Sequence, residues 1–136
     1  MSPSAVCTGS LVLAATGLFP VSGDCHWLSI EHLAFFGAAP VKQRVVIDRN
    51  RITGAGVTSG IDFGLTLAAE LLGEERAKRA QLAMEYAPEP PFGCGSPAAA
   101  ADELVEALHA ENAAFQNEWE IVARRAAAAL QQKVSP

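Results

Sequence analysis

Ser4-Ala5-Val6-Cys7-Thr8-Gly9-Ser10 carries a short apolar stretch into the helical run Leu11-Val12-Leu13-Ala14-Ala15, with a cysteine at the junction. Ala5 and Gly9, two residues either side of Cys7, are small enough for a tight strand-to-helix turn. That is the design of a nucleophile elbow, where the central side chain is held strained and exposed. A thiol at a helix N-terminus faces unpaired backbone N–H groups and the positive end of the helix dipole, and both favour thiolate over thiol. The bland alternative is a small buried hydrophobe, which is what most free cysteines are. Six residues precede Cys7, whereas an elbow ordinarily caps a strand with others laid beside it.

Outward from this turn, the pattern predicts a helix over residues 8–18, stopped by Gly17 and Pro20. Residues 22–26 form a polar connection with room for a short strand, and residues 27–37 a second helix closed by Gly37. Val45-Val46-Ile47 and Ile52-Thr53-Gly54 read as a hairpin through the polar turn Asp48-Arg49-Asn50-Arg51. A small-residue loop, 54–60, leads into a helix over 61–72 with apolar Phe63, Leu65, Leu67, Ala68 and Leu71. Gly73 breaks it, and residues 74–86 give another helix with Ala80, Leu82, Ala83 and Met84 available to pack. Residues 87–97 are extended and rich in Pro and Gly. Residues 98–134 are helical, in one piece or two, with a sparse stripe (Leu104, Leu108, Phe115, Trp119, Val122) suited to docking on a partner or to fraying. Two or three short strands after Cys7, alternating with helices, indicate an α/β class with a narrow sheet.

At 136 residues, half of them hydrophobic, the chain has the size and composition of one domain with a core. A net charge of −5 with no Lys or Arg cluster argues against nucleic acid. Cys7, Cys25 and Cys94 are odd in number and lack metal-ligand spacing, so no metal is expected and a reducing cytoplasm fits best. The apolar run 11–19 is too short for a membrane span, and no basic residue precedes it. The loop 54–60 lacks the lysine of a phosphate loop, although its backbone N–H groups suit closing over a ligand. Asp62 reads first as a helix-start residue helped by the dipole, and second as an acid for Cys7. Cys25 and Cys94 read as inert, and Arg124 and Arg125 as a solvated helix face.

Taken in order, four stretches resemble the ThiJ/PfpI superfamily and, within it, the isocyanide hydratases. They are Val6-Cys7-Thr8-Gly9-Ser10, His26-Trp27, Arg51-Ile52-Thr53-Gly54-Ala55-Gly56-Val57-Thr58-Ser59-Gly60-Ile61-Asp62-Phe63, and Met84-Glu85-Tyr86-Ala87-Pro88-Glu89-Pro90-Pro91-Phe92 followed by Gly95-Ser96-Pro97. The resemblance implies a flavodoxin-like α/β fold related to class I glutamine amidotransferases. It makes residues 1–136 one partial domain, with a core at 4–97, a helical extension at 98–134, and the N-terminal half of the sheet absent. It implies Cys7 as nucleophile with Thr8 beside it as donor, and Gly9, His26, Gly56 and Val57 around a small-molecule substrate. No cofactor, no metal, no nucleic acid and no membrane are implied, and the assembly is a homodimer.

The chemistry that the resemblance implies is that of a cysteine-dependent hydro-lyase. The thiolate adds to the isocyanide carbon, a thioimidate forms, and water releases an N-substituted formamide. Family members set an acidic residue from the first strand against the cysteine, and the six residues before Cys7 hold none. Cys25 stands where many relatives have Thr. Thr8 stands where many peptidase-like relatives have His, which disfavours a protease. The alternative function is a non-catalytic ligand-binding or sensing domain, or a remnant of one.

Overall fold

In the computed structural model, which describes residues 3–19 and 21–134, the strand β1 (Ser4–Val6) runs through Cys7 and Thr8 into helix α1 (Gly9–Ala15). Strand β2 (Ser22–Gly23), a 3₁₀ helix (Ile30–Phe36) and strand β3 (Ala39–Pro40) follow. The hairpin β4 (Val45–Asp48) and β5 (Arg51–Gly54) comes next. Three helices complete the chain: α2 (Ser59–Leu72), α3 (Glu74–Ala83) and α4 (Asp102–Val134).

β5 lies at the centre of a three-stranded sheet, parallel to β1 and antiparallel to β4, while β2 and β3 form a separate parallel pair. The Asp48↔Arg51 register leaves Arg49 and Asn50 as the turn, and Arg49 takes φ +57°, the positive value that tight hairpin turns demand at their first position. Among the described residues four strands follow Cys7 rather than two or three: β2 falls where there was room for a short strand, and β3, two residues long, is too short to leave a period in the sequence.

Three helix expectations change. α1 stops at Ala15 instead of residue 18, because the Thr16 hydroxyl donates to the Leu13 carbonyl (2.7 Å) and Gly17 turns left-handed at φ +76°. The segment 27–37 is a 3₁₀ helix from Ile30: its buried Ile30 and Leu33 are three residues apart, the period of that tighter helix. Gly37 closes it as expected, in the left-handed region. α3 ends at Ala83, and Leu82 and Met84 face solvent instead of packing; its buried residue is Ala77, small enough for close approach to α2.

The core gathers Leu11 and Ala14 of α1 with Cys25, Ile30, Leu33 and Ala38, and Phe19, Phe36 and Trp119 pack against them. α4 is one helix, and it docks on this chain. Trp119 reaches the core, Ala123 and Ala127 are buried, and the Ser29 hydroxyl donates to Gln116 Oε1 at 2.9 Å. Phe115 and Val122, from the same stripe, remain exposed. Arg124 is not simply solvated: it pairs with Glu120 at 2.7 Å and stands 4.0 Å over the Phe35 ring, a cation–π contact between α4 and the 3₁₀ helix. No helix among the described residues is long and apolar enough to cross a membrane.

Candidate functional site

The parallel β1–β5 register sets Val6 opposite Gly54, and one residue further the Cys7 N–H donates to the Gly54 carbonyl at 3.0 Å. The ladder therefore holds Cys7 while the chain swings away into α1. Cys7 adopts φ +59°, the left-handed region that costs a non-glycine residue about 1–2 kcal/mol. Its carbonyl accepts the Ser10 N–H at 3.2 Å, which starts the helix. The strained strand-to-helix elbow expected at this cysteine is present, with the thiol half-buried. Thr8 occupies the cap position without a side-chain capping bond, and a Cβ at Gly9 would lie 3.9 Å from that of Ala5.

The loop 54–60 closes one side of the elbow. A Cβ at Gly54 would come within 3.1 Å of Ser59 Oγ and 3.3 Å of Val6 Cγ2, so glycine lets β1 and the loop approach. On the other side, the Asp24 N–H donates to the hydroxyl of the fully buried Thr53 (3.0 Å), and the Cys25 N–H donates to Asp24 Oδ1 (2.7 Å). The first bond fastens residues 24–26 to β5 one step before Gly54, and the second shapes the turn locally. His26 consequently faces the loop: a Cβ at Gly56 would sit 3.7 Å from its Cδ2. His26 follows β2 by three residues instead of lying on a strand. Its Nδ1 accepts the Leu28 N–H at 3.4 Å, and burial lowers its pKa, so the ring is neutral at pH 7. Val57 is 80% exposed at the outer lip of the loop.

The remaining titratable candidates stand in different surroundings. Cys25 is buried, and that burial pushes its thiol up to about 12. Cys94 is exposed on the 87–97 segment. Asp62 sits in the first turn of α2, where its carboxylate is shared between Arg44 and the Tyr86 hydroxyl (2.9 Å). Burial raises the pKa of Asp24, whose carboxylate serves the Cys25 N–H. The structural roles of Asp24 and Thr53 escaped sequence reasoning; the one signal was a polar Thr53 inside an otherwise apolar strand end.

No family model matches the chain. An isonitrile hydratase of Pseudomonas putida is 52% identical over 104 residues, which cover 76% of this chain and 46% of that protein. A ThiJ/PfpI family protein from Pseudomonas syringae superposes with a TM-score of 0.82 at 46% identity, over 91% of this chain and 50% of the other. The chain belongs to the ThiJ/PfpI superfamily. DJ-1 of Schizosaccharomyces pombe shares the fold at greater distance, with a TM-score of 0.55 and 25% identity over 62% of this chain and 44% of that one. The elbow, the hairpin and the glycine loop thus stand in a flavodoxin-like α/β fold, and this ThiJ/PfpI chain spans about half the length of the relatives it matches.

Two outcomes follow from this geometry. Cys7→Gly relieves the left-handed backbone and Cys7→Ala retains it, so in denaturant titrations the glycine variant is the more stable by about 1 kcal/mol. Burial lowers the pKa of both His26 and His32. Below the unfolded-state value near 6.5 the unfolded chain binds protons that the native chain does not, so stability falls as pH drops through about 6.5. The melting temperature is lower at pH 5.5 than at 7.5, and combining His26→Gln with His32→Gln narrows that difference.

Proposed function

We propose that this chain supplies the nucleophile of an isocyanide-hydrating site, with Cys7 attacking the terminal carbon of an organic isocyanide. The observation that carries the reading is the left-handed Cys7 at a strand-to-helix junction, in a chain 52% identical to an isonitrile hydratase. An S–C bond forms as the thiolate adds, and the former isocyanide carbon takes a proton, leaving a thioimidate on Cys7. Water then adds to that carbon, the nitrogen is protonated, the C–S bond breaks, and an N-substituted formamide leaves with the thiol restored. One water is consumed overall. Covalent attack divides a difficult hydration into two easier steps.

In this proposal the Thr8 hydroxyl, free of a capping role, donates to charge developing on the substrate. His26, neutral through burial, relays a proton between water and the substrate nitrogen. Gly9 and Gly56 let the substrate approach backbone, and Val57 forms the outer lip. The Asp24 and Asp62 carboxylates are engaged by the Cys25 N–H and by Arg44, so in this proposal the protons pass through His26 from solvent. The three unpaired cysteines fit a reducing cytoplasm, and a homodimer is the assembly we propose.

The test is formamide production from an aryl isocyanide, followed by mass spectrometry of product and protein. Slow hydration through a Cys7 adduct, lost in Cys7→Ser and reduced about tenfold in His26→Asn, is expected. Hydration at the same rate in Cys7→Ser overturns the proposal. Saturable binding with no adduct and no formamide favours a ligand-binding role instead.

A further inference from the structure

We propose that Arg44, Asp62 and Tyr86 are positioning residues that lock the loop 54–60 against the Cys7 elbow. The inference rests on the reading of Cys7 as the reactive group. The loop is buried at Gly54 and Ser59, but its tip is not: Val57 and Thr58 are exposed. It begins at Gly54, whose carbonyl holds Cys7 in its left-handed conformation, and it passes His26 at Gly56. Any drift in it therefore reaches both sides of the elbow.

Arg44 grips this loop at two points. Its backbone carbonyl accepts the Ala55 N–H at 3.1 Å, and its guanidinium Nη2 donates to the Thr58 carbonyl at 2.8 Å. Nη1 reaches the Thr58 hydroxyl at 3.4 Å. One residue thus spans the loop from its second position to its fifth. The guanidinium is in turn aimed by Asp62, which takes Nε on Oδ2 and the Tyr86 hydroxyl on Oδ1. Within the loop, Ser59 closes the arrangement by donating its hydroxyl to the Gly56 carbonyl at 2.7 Å.

Tyr86 is itself delivered by a built turn. Glu85 takes φ +51°, which reverses the chain after α3, and Tyr86 is held by a pair of bonds to Gln81: its N–H donates to the Gln81 carbonyl (3.1 Å), and Gln81 Nε2 donates to its carbonyl (3.2 Å). The Met84-Glu85-Tyr86-Ala87-Pro88 stretch acquires a role by this route, through the Tyr86 hydroxyl on Asp62. Arg44 is 52% exposed and Asp62 29%, and ion pairs this open stabilise a fold only weakly. What the cluster fixes is geometry, because reactive groups must be held within a fraction of an ångström by neighbours that are themselves locked.

The test uses the full chain and limiting iodoacetamide, reading modification of Cys7 and of Cys94 by peptide mass spectrometry between pH 5.5 and 8.5, with melting temperature measured in parallel. In Arg44→Met the rate at Cys7 near pH 6.5 falls at least threefold relative to Cys94, and the melting temperature moves little. Tyr86→Phe, which removes only the hydroxyl, gives a smaller fall in the same direction. Arg44→Lys keeps the charge but lacks the planar fork, so it restores the rate only in part. An unchanged or higher Cys7-to-Cys94 ratio in both Arg44→Met and Tyr86→Phe overturns the proposal. Should Arg44→Met fail to fold, Tyr86→Phe alone decides. An unreactive Cys7 in the unsubstituted chain marks failure of the underlying function, which is distinct from a reactive Cys7 indifferent to these substitutions.

Discussion

The hydrogen bond from the Cys7 N–H to the Gly54 carbonyl is the constraint on which the rest of the arrangement depends. It extends the β1–β5 ladder by one residue past Val6, and it does so with Cys7 at φ +59°. A strained conformation of this kind persists only where its surroundings over-determine it. Here the determinants are the parallel register on one side and the first turn of α1 on the other, itself anchored by Leu11 and Ala14 in the core. The absence of a side chain at Gly54 is the steric condition on the loop side, where a Cβ would come within 3.1 Å of Ser59 Oγ.

The same strand, β5, organises the opposite wall. Thr53 turns its hydroxyl to the Asp24 N–H, so the connection bearing Cys25 and His26 is set relative to Gly54 and not merely tethered to it. Residues distant in sequence meet here because β5 sits between β1 and β4 and touches the segment after β2. A thiol, an imidazole and a glycine loop then surround one end of a short sheet, the usual location of ligands in open α/β folds.

What was legible in the sequence was local. The Cys7 turn, the Asp48–Arg51 hairpin and the Gly73 break all depend on residues within a few positions of one another, where steric preference decides the outcome. The failures were decided by tertiary contacts. Residues 27–37 carry helical apolar spacing, and the demand to bury Ile30 and Leu33 on one side selected the tighter 3₁₀ period. Leu82 and Met84 are apolar and available to pack, but α3 packs through Ala77 and leaves them outside. The candidate site divides likewise: Cys7, Thr8 and Gly56 could be named from their turn chemistry, whereas the Arg44–Asp62–Tyr86 cluster joins three segments that no local pattern links.

Three cysteines in three environments give the account its most direct test. Cys94 is exposed, Cys25 is buried with its thiol pushed up to about 12, and Cys7 is half-buried at the elbow. Accessibility alone ranks Cys94 first, and the elbow ranks Cys7 first. The deciding measurement is the order in which the three thiols of the native chain are alkylated at pH 6.5. The account predicts Cys7 ahead of Cys94, with Cys25 unmodified until the chain is unfolded; modification of Cys94 ahead of Cys7 would contradict it.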